Sequence, residues 1–151
     1  MNNKTLVLGV GNPILGDDGV GIHAVRELRK DAGCADFEEA PVSSLELVEM
    51  FLGYEKVIIV DAVKTREGVP GKIYELCGED MPTLHGLSPH DVDFHTALEY
   101  GKKFMGQMPK ITIYGIEAAN VTDFGETLSP KVEESLRLVI EKIKKEIKDG
   151  S

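Results

Sequence analysis

The sequence predicts a doubly wound α/β fold, with a mostly parallel twisted sheet of about five strands and helices on both faces. Three short apolar runs without polar alternation, Thr5–Val10, Val57–Val60 and Ile111–Ile116, are typical of strands buried on both faces of a parallel sheet. Segments of helical period lie between them, and this alternation implies βαβ units with right-handed crossovers. The chain has 151 residues, 42% of them hydrophobic, and no internal repeat or linker, so we expect one domain over residues 1–151.

Two further strands are predicted near the edges of the sheet. Phe37–Val42 and Lys72–Leu76 are shorter and more polar than the three core strands. The second of them follows a turn at Glu67–Gly71, which favours an antiparallel arrangement. We therefore expect a central parallel set of strands with these two near its edges.

Helical periodicity predicts amphipathic helices in three segments. The first runs from Gly19 to about Asp31 and has one apolar stripe opposite a charged face. The second, Leu45–Leu52, follows two serines that can act as N-cap. The last begins at an N-cap, Ser129, with Pro130 in the first helical position. Its apolar residues share one face, which we expect to pack on the sheet.

Charge and cysteine content exclude several classes of protein. The formal net charge is −9, whereas affinity for nucleic acid comes mainly from Lys and Arg that neutralise phosphates. The two cysteines, Cys34 and Cys77, have no paired spacing, which argues against a disulfide framework and favours a reducing compartment. No stretch approaches the roughly 20 apolar residues that span a bilayer. The N-terminus also lacks the features of a signal peptide. We expect a cytoplasmic protein without a nucleic-acid or membrane partner.

The turn after the first strand, "GVGNPILGDDGVG", carries two adjacent aspartates, Asp17 and Asp18. A glycine-rich turn between a strand and a helix usually holds phosphate, which two carboxylates would repel. The turn also lacks the third glycine of the dinucleotide-binding fingerprint. Either the aspartates cap the first helix, or the turn binds a positively charged ligand.

Two more candidate residues lie where a ligand would bind in such a fold, beyond the carboxyl ends of the strands. Asp61 directly follows the apolar run "VIIV", and it faces Asp17 and Asp18 if the two strands are neighbours. His90 lies in the first turn of a helix that Ser88 begins. The helix dipole there disfavours a protonated imidazole, and the neutral form is the one that ligates metals.

Two carboxylates and a neutral imidazole from three segments predict an incomplete shell for a divalent transition metal. Each residue also has an ordinary interpretation. Asp17 or Asp18 can simply cap the first helix, Asp61 can form an Asx turn, and His90 can be a polar residue at a helix end. His85 replaces His90 if that helix starts earlier. No serine motif or locally activated cysteine indicates covalent catalysis.

Four motifs, "LVLGVGNPILGDDGVG", "VIIVDAV", "SPHDVDF" and "GIEAANVTDFGETLSPKVEESL", resemble those of the nickel-dependent hydrogenase maturation proteases, in the same order and over nearly the whole chain. The resemblance implies a doubly wound α/β endopeptidase. Such an enzyme removes a C-terminal extension from the large-subunit precursor of a nickel-iron hydrogenase after nickel insertion. It uses the substrate's nickel as the recognition signal. By resemblance, the metal-contacting residues are Asp18, Asp61 and His90, and Asp17 is a spare carboxylate that acts as base or cap.

One segment departs from the family pattern. Many relatives have a Gly-Gly-Thr-like turn after the second strand, whereas this chain has "EEAPVSSLEL", with Ser43 and Ser44 as the nearest polar replacements. The resemblance further implies a monomer that meets the nickel-loaded precursor transiently. Two alternatives stay open: a nickel-recognition or chaperone module that does not cleave, and a hydrolase similar to peptidyl-tRNA hydrolase. The "GNP" turn favours the latter, but its Arg-His-Asn triplet and a basic surface are missing.

Overall fold

A five-stranded sheet with two long helices forms the framework of the fold. The computed structural model describes residues 4–31, 33–40, 49–77, 103 and 108–149. The elements are β1 (Thr5–Val10), α1 (Val20–Asp31), β2 (Asp36–Ala40), β3 (Lys56–Val63), β4 (Ile73–Cys77), β5 (Lys110–Glu117) and α2 (Pro130–Asp149). A single 3₁₀ turn, Gly16–Gly19, joins β1 to α1.

The strand order β2-β1-β3-β5-β4 confirms the predicted sheet. The pairs β1–β2, β1–β3 and β3–β5 are parallel, and β4 pairs antiparallel with β5. The three strands that the sequence predicts as core are the central ones, because their continuous apolar runs allow both faces to be buried. The two more polar strands lie at the edges, as predicted.

Two apolar clusters cover the two faces of the sheet. Residues of α1 and α2 bury their apolar stripes against one face, which includes Ile58, Tyr114 and Ile116. The other face, which includes Leu8 and Ile59, packs with buried Phe51. Burial of each large aliphatic or aromatic side chain stabilises the fold by about 1.5–3 kcal/mol. The first cluster therefore holds both helices to one face of the sheet, and the second covers the opposite face.

Close backbone packing fixes where α1 begins. A Cβ atom at Gly21 would overlap the carbonyl oxygens of Val60 in β3 and Val10 in β1, and one at Gly9 would overlap the Gly21 carbonyl. Only glycine permits an approach of this kind between a helix and two strands. The first turn of α1 is therefore pressed against the ends of two neighbouring strands.

Some sequence predictions need correction or fall outside the described residues. Asp61 does not end its strand, because β3 continues to Val63 and stays paired with β5 over its whole length. Of the predicted helix 45–52, residues 49–50 are helical, 51–52 form a turn and the rest lies outside the described ranges. The helix predicted around His90 lies outside them as well. None of the helices in the described part of the chain is long and apolar enough to cross a membrane.

Candidate metal-contacting site at the carboxyl edge of the sheet

Asp18 lies in the 3₁₀ turn between β1 and α1 and is buried. Its Oδ2 atom accepts a hydrogen bond from the Asn12 backbone N–H at 2.9 Å, so the carboxylate is held against the start of the turn. Gly11 has a φ of 142°, and a Cβ atom there would overlap the Asp18 carbonyl oxygen. The glycines of the motif thus let the chain fold back closely on itself, which orients Asp18.

Asp61 lies in the neighbouring strand β3 and is also buried. Gly9 of β1 is paired with Val60, so Asp61 is level with the last residue of β1. Its Oδ1 atom accepts a hydrogen bond from the Ala62 N–H at 2.8 Å. An Asx turn would bond to the N–H two residues on, so this contact with the next residue in the strand is not the Asx turn that the sequence left open.

The predicted pair of acids thus comes from two neighbouring parts of the fold, one from the turn after β1 and one from the adjacent strand β3. Asp18 comes from the turn that leaves β1, and Asp61 comes from the carboxyl-terminal half of β3. The N-terminus of α1 follows Asp18 directly, and the helix dipole there favours negative charge. Among the described residues, no group of three or more acidic, histidine or cysteine side chains could hold a metal. His90 lies outside those residues, so the set of three remains a prediction.

Asp17 has a different environment from its neighbour. Its buried carboxylate accepts four hydrogen bonds: from the N–H groups of Ala119 (2.9 Å), Asn120 (3.0 Å) and Ser129 (2.7 Å), and from the Ser129 hydroxyl (2.7 Å). Burial raises the pKa of Asp17, but the hydrogen bonds from Ser129, Asn120 and Ala119 outweigh it, and the pKa lies below its ordinary value.

These bonds give the second aspartate a structural explanation. Ser129 directly precedes α2, so the carboxylate of Asp17 satisfies a donor at the N-terminus of that helix rather than of α1. The same carboxylate ties the turn that carries Asp18 to the segment that leaves β5. Lys64 holds this segment from the other side, because its Nζ atom donates to the carbonyl oxygens of Ala118 (3.2 Å) and Ala119 (3.3 Å).

Sequence reasoning missed one buried acid, Glu117. It ends β5, and its carboxylate accepts bonds from the Thr65 N–H (2.8 Å), the Thr65 hydroxyl (2.8 Å) and the Tyr74 hydroxyl (3.0 Å). Burial, with a contribution from Glu117, raises the pKa of Tyr74. The signal was present in the sequence: Glu117 is a lone acid that directly follows the apolar run Ile111–Ile116. The bonds show that it fixes the loop after β3.

The arrangement defines an α/β protein with an acidic site at the carboxyl edge of a mostly parallel sheet, where open α/β folds bind their ligands. Residues 22–146 match the family model described as hydrogenase maturation protease, and the chain belongs to that family. It is 28% identical over 146 residues to the hydrogenase 2 maturation protease of Escherichia coli K12, an alignment that covers 93% of this chain and 88% of the relative.

Solved structures agree with this assignment. The fold is similar to that of the hydrogenase maturating endopeptidase HybD from E. coli, with a TM-score of 0.85, 25% identity and coverage of 100% of this chain and 94% of the other. The [NiFe] hydrogenase maturation protease HybD from Thermococcus kodakarensis has a TM-score of 0.77 and 26% identity, with coverage of 96% and 98%. The protein is therefore a peptide hydrolase, and the family assignment favours this class over both alternatives that the sequence left open.

Proposed function

We propose that this protein removes the C-terminal extension of a nickel-iron hydrogenase large-subunit precursor after nickel has been inserted. The observation that carries the proposal is the pair of buried carboxylates at the ligand-binding edge of the sheet: Asp18 in the turn that follows β1, and Asp61 in the neighbouring strand β3. The family's resemblance adds His90 as the third contact. In this proposal the protein works in the cytoplasm as a monomer that meets its precursor transiently.

The donor set suits the metal that the substrate brings. Carboxylate oxygens and a neutral imidazole bind divalent transition metals of borderline softness, and three protein ligands leave positions for groups from the precursor. Nickel already held by the precursor is then bridged to Asp18, Asp61 and His90. This contact anchors the precursor, positions its tail across the sheet edge and makes processing depend on prior metal insertion.

Hydrolysis then needs a positioned water molecule. Water attacks the carbonyl carbon of the scissile bond, the carbon–nitrogen bond breaks, and the released amine takes a proton. Either the metal or a neighbouring carboxylate polarises the water. Asp17 is a poor candidate for this base, because four donors already occupy its two oxygens. We assign it the role of positioning the turn that carries Asp18.

Substitution of the two buried acids tests the proposal. We expect Asp18→Asn and Asp61→Ala each to abolish conversion of the nickel-loaded precursor to its shorter form, as followed by gel mobility. Glu27→Gln is the matched control, because it removes an exposed carboxylate that pairs with Lys30 on the same helix. Circular dichroism checks that each variant is folded. Processing by folded Asp61→Ala at the wild-type rate would refute the assignment.

A further inference from the structure

Two exposed apolar side chains lie on loops that are bonded to each other, one of which also carries Asp18. Phe124 is 84% exposed and Ile14 is 48% exposed. Their loops are joined by backbone hydrogen bonds, from Gly125 N–H to the Ile14 carbonyl (2.8 Å) and from Gly16 N–H to the Gly125 carbonyl (2.9 Å). Leu15 and Gly125 form an isolated parallel bridge, and Ile14 and Phe124 occupy the positions just before it on their two loops. A single exposed apolar residue is ordinary, whereas two on bonded loops add up to a larger apolar surface, which is a feature of interaction sites.

The loop that carries Phe124 is held in a defined conformation. The Asn120 Oδ1 atom accepts hydrogen bonds from the N–H groups of Thr122 (3.0 Å) and Asp123 (3.1 Å), and its Nδ2 atom donates to the Asp123 carboxylate (2.8 Å). Asp17 fixes the other side of the loop through the Asn120 N–H. The aromatic ring is therefore held outward by a bonded turn, and little loop entropy would be lost if it became buried in a complex.

The location of the pair connects it with the proposed chemistry. Ile14 precedes Asp18 by four residues in the same turn, and the Phe124 loop is bonded to that turn both through the backbone and through Asp17. A partner that covers Phe124 and Ile14 is thus held next to the acidic edge of the sheet. Rigid aromatic side chains beside a polar rim are typical of protein interfaces, where a few such residues carry most of the binding energy.

We propose that Phe124 and Ile14 are the anchor that docks the folded body of the hydrogenase large-subunit precursor beside the bond to be cut; this inference rests on the proposed function. The exposed acids Asp123 and Glu126 flank Phe124, which disfavours anionic lipid or nucleic acid as the occupant. By charge complementarity, the precursor presents an apolar pocket with a basic rim. In this arrangement the metal contacts recognise the bound nickel, and the anchor supplies affinity for the surface of the precursor around it.

The test compares Phe124→Ala with Leu138→Ala, a matched control that removes an apolar side chain 58% exposed on α2. Binding and steady-state cleavage are both measured with the nickel-loaded precursor. We expect Phe124→Ala to weaken binding and raise KM by roughly tenfold, because it deletes an interface hot spot. We expect kcat and the thermal midpoint of Phe124→Ala to stay unchanged. Ile14→Ala should weaken binding and raise KM by less than Phe124→Ala does, and Leu138→Ala should change neither.

Several outcomes separate this inference from the proposed function. The inference about the anchor is overturned if Phe124→Ala binds the precursor as tightly as the wild type and has the same KM. It is also overturned if Phe124→Ala loses kcat at unchanged KM. A dimer of this chain that dissociates in Phe124→Ala would also overturn it, because the occupant would then be a second copy. If the wild type binds the precursor through Phe124 but does not cut it, the anchor is supported and the proposed proteolysis fails. If it neither binds nor cuts, both fail.

Discussion

Replacement of Asp17 by asparagine tests whether this carboxylate is a structural clamp or a catalytic base. The substitution keeps the size of the side chain but turns one acceptor oxygen into a donor amide. If the remaining oxygen takes the Oδ2 position, it keeps the donors of Ala119, Asn120 and the Ser129 hydroxyl. The new amide then faces the Ser129 N–H, which loses its 2.7 Å bond and meets a second donor.

The expected cost follows from these contacts. Hydrogen bonds to a charged group contribute about 1.5–3 kcal/mol each, and a buried donor without a partner costs about 1–3 kcal/mol. One bond is lost and three lose their charge assistance, so we expect Asp17→Asn to lower the free energy of unfolding by about 3 kcal/mol. This is a large part of the stability of a domain of this size.

Urea unfolding followed by circular dichroism measures the effect, with Glu27→Gln as the exposed control that should leave the midpoint nearly unchanged. The pH dependence has a defined sign. Because the folded-state pKa of Asp17 lies below its ordinary value, the carboxylate contributes stability above about pH 3.9, and this is lost as the pH falls through the folded pKa. The difference between wild type and Asp17→Asn should therefore be constant near neutrality and shrink in acid. If Asp17→Asn is as stable as the wild type but inactive, the structural role of Asp17 is refuted and a role as catalytic base is favoured.

Three further substitutions and one control probe the framework around the site, each by urea unfolding. Glu117→Ala removes a buried carboxylate that accepts bonds from three partly buried donors, and we expect it to lower the free energy of unfolding by about 3 kcal/mol; a change below 1 kcal/mol would contradict this. Gly21→Ala should cost about 1–3 kcal/mol because its Cβ overlaps backbone, whereas Gly33→Ala, with nothing within 4 Å, should be nearly neutral. Arg26→Met breaks a solvent-exposed pair with Glu39 and should cost less than about 1 kcal/mol, less still in high salt.

The sheet could be predicted from the sequence because its signals are local. Continuous apolar runs marked the central parallel strands, and the polarity of Phe37–Val42 and Lys72–Leu76 marked the edges. The sequence predicts that β3 ends at Val60, which is too early, because the acid that follows suggests the end of the strand. In the structure, Asp61 is tolerated inside the strand since Ala62 and Val63 continue the apolar run and pair with β5.

The candidate site was predictable only in part. The placement of Asp18 and Asp61 near one edge of the sheet could be predicted, because residues at the carboxyl ends of neighbouring parallel strands meet there. The role of Asp17 could not be, since its partners are 102 to 112 residues away along the chain and no local pattern records them. The exposure of Phe124 likewise depends on the hydrogen bonds between its loop and the turn that carries Ile14. Long-range contacts of this kind require the folded chain.

Intact-mass spectrometry of a hydrogenase large-subunit precursor, nickel-loaded and nickel-free, tests the central claim most directly. Each form is incubated with the wild-type protein and the mass of the large subunit is followed with time. The account predicts loss of a C-terminal peptide from the loaded precursor and no change in the nickel-free one. Equal cleavage of both forms would contradict recognition through the metal, and an uncut loaded precursor in a stable complex would contradict proteolysis.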